Sequence, residues 1–150
     1  RAITYPFERA FWAWRIQFWH WGFIDEFPFQ KGTVWVIDVR GDLKGGPSVA
    51  HGNVYFAVEQ GAVIALEAET GNTRWVEDLD RKISTPVTVA GGTVVVGTDD
   101  GAVVGLEASS GEVLWDFPLG SPITDNPIVA GGAIYAVAEN GTLYSLVGAN

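Results

Sequence analysis

The sequence predicts an all-β domain built of antiparallel four-stranded units, with a separate aromatic segment in front of it. Three observations carry this. The string E-A-E-T-G-N-T-R-W, Glu67 to Trp75, returns forty residues later as E-A-S-S-G-E-V-L-W, Glu107 to Trp115. A third tryptophan, Trp35, stands forty residues before Trp75. Glycines recur at one spacing three times, at Gly52 and Gly61, Gly92 and Gly101, and Gly132 and Gly141. A fixed period of this length marks one supersecondary unit used repeatedly. Residues 1–30 lie outside the period and 31–150 lie within it.

A chain of 150 residues buries roughly 70% of its unfolded surface, enough for one ordinary core. Nine basic residues face eighteen acidic ones, for a net charge of −9. That balance argues against nucleic acid as a partner, because a phosphate backbone must be neutralised by Lys and Arg. The first thirty residues are neutral, with Arg1, Arg9 and Arg15 against Glu8, Asp25 and Glu26, so the acidity belongs to the repeats. Cysteine is absent, which excludes disulfides, thiolate metal sites and cysteine nucleophiles. A chain without methionine that starts at Arg1 is read as a processed or truncated product.

Residues 5–29 hold most of the aromatic side chains. Phe7, Phe11, Trp14, Phe18 and Trp21 follow a 4-3-4-3 spacing, which places them on one side of a helix. Pro6 suits the first helical turn and Gly22 the residue past the end, so the spacing predicts a helix from about residue 6 to 21. A second apolar face is made of Trp12, Ile16, Trp19 and Phe23. A helix apolar on two faces needs two apolar surroundings. Three surroundings satisfy this: the chain's own repeats, another subunit, or a membrane surface, where Trp with interspersed Arg is favoured. Arg15, His20, Asp25 and Glu26 interrupt the run and argue against a bilayer span. A strand reading also stands, since Trp12, Trp14, Ile16 and Phe18 alternate with Ala13, Arg15 and Gln17.

Within the repeats, G-N-V-Y-F-A-V-E-Q-G, G-T-V-V-V-G-T-D-D-G and G-A-I-Y-A-V-A-E-N-G each read as a strand ending in a polar pair and glycine. This is the signal for a short hairpin whose last loop residue has positive φ. The returning strands are A-V-I-A-L-E-A, A-V-V-G-L-E-A and T-L-Y-S-L-V-G, with Leu66, Leu106 and Leu146 in register. A further turn leads to a third strand carrying Trp75 or Trp115, and a short strand starts near Pro47, Pro86 or Pro127, where proline is tolerated. Thr33 to Val39, around Trp35, has the character of the tryptophan strand.

Four-stranded units of forty residues that cannot bury both faces alone are the blades of a β-propeller. The pattern G-x-x-Y-x-x-x-x-x-G-x-x-x-x-L-x-A-x-x-G-x-x-x-W resembles the PQQ-type propeller repeat, shared by quinoprotein dehydrogenases and a periplasmic outer-membrane assembly lipoprotein. The core at Ala68, Gly71 and Trp75, and again at Ala108, Gly111 and Trp115, looks like that family's tryptophan-docking motif. The resemblance implies that Trp35, Trp75 and Trp115, with Gly71 and Gly111, are structural wedges between blades. Glu67 and Glu107 stand where the family usually has Asp, and Lys31-Gly32 replaces Thr-Gly before Trp35. Three periods are too few for a ring, which typically has 4 to 8 blades. The array is therefore an open arc, a fragment, or a set of blades completed by another chain, with the Trp35 strand a candidate to complete the last blade and the aromatic head a candidate cover for an end.

No reaction is spelled out. His20 and His51 share no ligand spacing, and the acids cluster at turns such as E-Q-G, D-D-G and E-T-G, where solvated turn residues are expected. Asp99-Asp100-Gly101 falls far short of a calcium loop. The Arg40-Gly41-Asp42 triplet reads as a polar turn. Quinoprotein dehydrogenases imply a calcium-bound quinone, a catalytic Asp and adjacent cysteines, and no stretch here matches those residues. The expectation is a non-enzymatic scaffold without cofactor or metal, extracytoplasmic by resemblance. Phe7, Phe11, Trp12, Trp14, Phe18, Trp19 and Trp21 would dock it to other protein subunits, a second copy of itself, or a membrane surface. The alternatives are a piece of a PQQ-dependent dehydrogenase and a ligand-sensing propeller domain.

Overall fold

A computed structural model describes residues 35–147. They belong to a compact unit formed by Trp35–Asn150. The helix expected over 6–21, and every aromatic residue assigned to docking, lie outside the described residues.

Each repeat opens with a three-residue strand just after its proline: β1 (Ser48–Ala50), β5 (Thr88–Ala90) and β9 (Ile128–Ala130). A tight turn returns the chain into β2 (Asn53–Ala57), β6 (Thr93–Gly97) and β10 (Ala133–Val137). In these turns two successive residues take positive φ, His51 and Gly52, Gly91 and Gly92, and Gly131 and Gly132, the geometry whose twist matches paired strands. The second hairpins lead to β3 (Ala62–Glu67), β7 (Ala102–Glu107) and β11 (Leu143–Val147). Their loops close with Val58, Thr98 and Ala138 donating to the carbonyls of Ala62, Ala102 and Thr142. Gly61, Gly101 and Gly141 have positive φ, as the polar-pair-glycine signal requires. Outer strands β4 (Thr73–Asp78) and β8 (Val113–Pro118) complete the first two sheets.

The result is two four-stranded antiparallel sheets, β1-β2-β3-β4 and β5-β6-β7-β8, and a three-stranded one, β9-β10-β11. Their registers repeat at forty residues: Asn53 faces Glu67, Thr93 faces Glu107 and Ala133 faces Val147. Ala65 stands opposite Trp75 and Gly105 opposite Trp115, each beside a register shift. The innermost strands adjoin, with Ser48 Oγ donating to Val87 O at 2.5 Å and Thr88 Oγ1 to Pro127 O at 2.6 Å. The described chain is an incomplete, all-β propeller.

Sheet stacks on sheet. Tyr55, Ala57, Val63 and Ala65 of the first pack against Val94, Val96 and Leu106 of the second and against Ile83 and Val87 of the connection that leads into it. Val95 and Val103 meet Ile123, Ala136 and Ala138 of the third in the same way. Ile83 and Ile123 lie in the connections before β5 and β9, and each is held by a single antiparallel bridge, to Thr98 and Ala138. Among the described residues Thr85 and Thr98 are the buried polar ones, and both are satisfied: Thr85 Oγ1 accepts from Gly97 N at 2.8 Å, and Thr98 Oγ1 accepts from Ala102 N at 2.9 Å.

Two expectations change. Residues 35–39 form no strand; by register the neighbour of an outer strand there would be residues 22–27, which lie outside the described residues. The segment is instead fixed by its side chains on the first sheet, with Trp35 and Val39 packed on Phe56, Val58 and Leu66. It therefore does not complete the last blade, and among the described residues β11 has β10 as its one neighbour.

Candidate interaction surfaces

Trp35 and Trp75 stand at one register and reach forward into the next sheet. Trp35 Nε1 donates to Ala68 O and Trp75 Nε1 to Ala108 O, both at 2.9 Å. The ring then lies flat over a glycine. A Cβ on Gly71 would sit 2.7 Å from Trp35 Cδ2, and one on Gly111 would sit 2.6 Å from Trp75 Cε3. Both glycines also have positive φ, 74° and 80°, and each closes its turn by donating to the carbonyl of Glu67 or Glu107. The A-x-x-G spacing thus supplies an acceptor and a bare backbone surface one turn apart.

Tyr55 adds a second bond to the first junction. Its hydroxyl donates to the same Ala108 carbonyl at 3.2 Å, and its ring lies 6.0 Å from that of Trp75. Trp115 packs within its own sheet, over Gly105 and beside Phe117 at 5.3 Å. By register its acceptor would be residue 148, outside the described residues, as are Phe7, Phe11, Trp12, Trp14, Phe18, Trp19 and Trp21.

Charged side chains serve the turns. Arg81, in the β4–β5 connection, pairs with Asp116 at 2.8 Å and Asp100 at 3.6 Å, and Lys44 pairs with Glu59 at 3.4 Å. Asp100 also accepts from Thr98 Oγ1, so both of its carboxylate oxygens are engaged locally. Glu67 is held below the ordinary carboxylate range by the hydrogen bond from Thr70 and by the charge of Arg74. Among the described residues no three His, Asp or Glu side chains converge as metal ligands. His51 lines an open cleft between the first two sheets, with Asn53, Tyr55, Glu107, Ala108 and Ser109.

The two ends of the array differ from its interior. On the first sheet an open apolar cleft of about 180 Å³ is lined by residues including Trp35, Leu43, Pro47, Val54, Phe56 and Leu66. Shifted by forty, these positions become Trp75 of the first sheet and Ile83, Val87, Val94, Val96 and Leu106 of the second repeat, all within the junction between the first two sheets. At the other end, Tyr135 and Leu143 are 38% and 64% exposed, whereas their counterparts Tyr55 and Val63 are 1% and 0% exposed. Sequence reasoning singled out neither Tyr135 nor Leu143.

A family model described as outer membrane protein assembly factor BamB matches residues 28–106 and 59–150. The chain belongs to this PQQ-type propeller-repeat family. BamB from Moraxella catarrhalis superposes with a TM-score of 0.66 at 25% identity, over 75% of this chain and 37% of BamB. Dihydro-heme d1 dehydrogenase NirN has a TM-score of 0.65 at 22% identity, over 76% of this chain and 27% of NirN. The quinohemoprotein alcohol dehydrogenase ADHIIG from Pseudomonas putida HK5 has a TM-score of 0.60 at 24% identity, over 68% and 17%. The two dehydrogenases share the fold. The chain spans about a third of BamB and less of the dehydrogenases. No curated protein sequence matches it.

Proposed function

We propose that this chain is a non-enzymatic scaffold of PQQ-type repeats that works by presenting surfaces to other protein subunits. In this reading Trp35, Trp75 and Trp115, with Gly71 and Gly111, are wedges that keep the blades in order. The aromatic residues Phe7, Phe11, Trp12, Trp14, Phe18, Trp19 and Trp21 dock the array to a larger, membrane-associated, extracytoplasmic assembly. The observation that carries the reading is the run of like blades joined by one repeated contact, Trp35 on Ala68 and Gly71 and Trp75 on Ala108 and Gly111, with charged side chains paired locally at the turns. Membership of a family described as an outer membrane protein assembly factor supports both the role and the compartment.

Dye-linked alcohol oxidation after incubation with pyrroloquinoline quinone and Ca²⁺ separates this from the dehydrogenase alternative, since quinone-dependent turnover would overturn the scaffold reading. Hydrogen exchange tests the docking segment. Residues 6–29 should exchange freely in the isolated chain and slow on addition of vesicles or a partner subunit. Full protection in an isolated, soluble monomer would contradict docking.

A further inference from the structure

Residues that serve only a repeat recur in it, and one cleft is lined by several that do not. It lies between the first two sheets, encloses about 360 Å³, and is lined by residues including His51, Asn53, Tyr55, Glu107, Ala108 and Ser109. Where the first repeat has His51 and Asn53, the later ones have Gly91 with Thr93 and Gly131 with Ala133. His51 sits at φ 50°, and its glycine counterparts at 56° and 60°. A Cβ is strained in that region, so the imidazole is kept where glycine would be easier, a pattern that gathers at functional positions. Glu107 departs in its surroundings. Its counterpart Glu67 accepts from Thr70 Oγ1 and pairs with Arg74. The residue that matches Arg74 is Leu114. Among the described residues Glu107 accepts from the Ser109 hydroxyl, at 3.2 Å, and has no Lys or Arg within ion-pair distance. Asn53 donates its amide hydrogens to Tyr55 Oη and His51 O, at 3.3 and 3.4 Å, which leaves its carbonyl oxygen as a second acceptor.

We infer that this cleft receives an arginine side chain of a partner protein, whose guanidinium takes on Glu107 the place that Arg74 takes on Glu67. This rests on the reading of the chain as a scaffold that acts through its surfaces, and it names the chemistry of the partner. Charge selects a cation, since the lining holds a carboxylate and an amide oxygen and neither Lys nor Arg, in a chain of net charge −9. Geometry selects arginine. Its planar fork meets a carboxylate with two parallel hydrogen bonds, and it gives up water more readily than an ammonium does. Tyr55 and Ala108 supply apolar surface for the methylene stem. His51 supplies a flat ring on which the guanidinium stacks, which is the use of an imidazole at a strained position. The volume is near the lower end for ligand pockets and suits one long side chain.

Titration of the full chain with N-acetyl-arginine amide, followed through the nuclear magnetic resonance shifts of the Ser109 amide and the Trp75 indole, tests this. The blocked arginine should give saturable shifts, and its neutral isostere N-acetyl-citrulline amide should give none. Glu107→Gln should weaken binding by about tenfold. His51→Gly, which installs the residue of the other repeats, should weaken it by about threefold. Both variants should keep the parent's circular dichroism spectrum, and Glu67→Gln should leave the affinity unchanged. No saturable shift, an equal response to citrulline, or an affinity unmoved by Glu107→Gln overturns the site. Free arginine binding more tightly than the blocked form would mark a site for a small molecule and overturn the docking of a partner. Each of these results leaves the scaffold reading intact, whereas quinone-dependent turnover would remove that reading without touching the titration.

Discussion

Replacing Gly111 by alanine tests whether the tryptophan wedge holds two blades together. The residue sits at φ 80°, where any Cβ costs about 1–2 kcal/mol. The new methyl would also meet Trp75 Cε3 at 2.6 Å and Cδ2 at 2.7 Å. That ring cannot simply retreat, because its nitrogen is tied to Ala108 O and its face lies against Tyr55. Forcing it aside is an overpacking event of about 1–3 kcal/mol. The sum, about 2–5 kcal/mol, is a large share of the roughly 5–15 kcal/mol that stabilises a domain. Gly132 is the control, since it has nearly the same φ, 79°, and open space around its Cβ position. Gly132→Ala should show the backbone cost alone, about 1–2 kcal/mol. Urea unfolding followed by far-ultraviolet circular dichroism compares the two. Equal losses would refute the wedge, since the ring contact would then contribute nothing.

Three smaller perturbations probe the same junctions by urea unfolding. Tyr55→Phe removes the hydroxyl bond to Ala108 O and should cost about 1 kcal/mol. A neutral result would mean the carbonyl is satisfied by Trp75 alone. Thr85→Val strips the acceptor from the buried Gly97 N–H and should cost about 1–3 kcal/mol. A variant as stable as the parent would mean that the amide finds another partner. The lowered pKa of Glu67 gives a direction with pH. A carboxyl whose folded value is depressed adds stability above its unfolded value, and that gain is lost as pH falls through the folded one. The stability gap between the parent and Glu67→Gln should therefore narrow on acidification. A gap independent of pH would contradict the local pairing with Thr70 and Arg74.

Much of the fold is legible because its signals are local. The glycine that ends each polar pair, and the proline that precedes each inner strand, dictate backbone geometry within a few residues, so Gly61, Gly101 and Gly141 mark hairpins without tertiary knowledge. Trp35 shows where this stops. Its segment has the composition of an outer strand, yet a strand is a relation between two segments, and composition cannot supply the neighbour. The junction chemistry is legible only in part. The A-x-x-G-x-x-x-W spacing marks Trp75 and Gly71 as a set, but Trp75 reaches Gly111 and Ala108 of the following repeat. Tyr55 meets an acceptor 53 residues away, a pairing that no short-range pattern contains. Ile83 and Thr85 lie in connections that read as loop, and their burial follows only from one blade being laid on the next.

Quinone-dependent turnover bears most directly on the central claim, that this array of PQQ-type repeats is a scaffold. With pyrroloquinoline quinone and Ca²⁺ supplied, dye-linked alcohol oxidation is predicted to stay at background. Turnover above background that depends on the quinone would contradict the account.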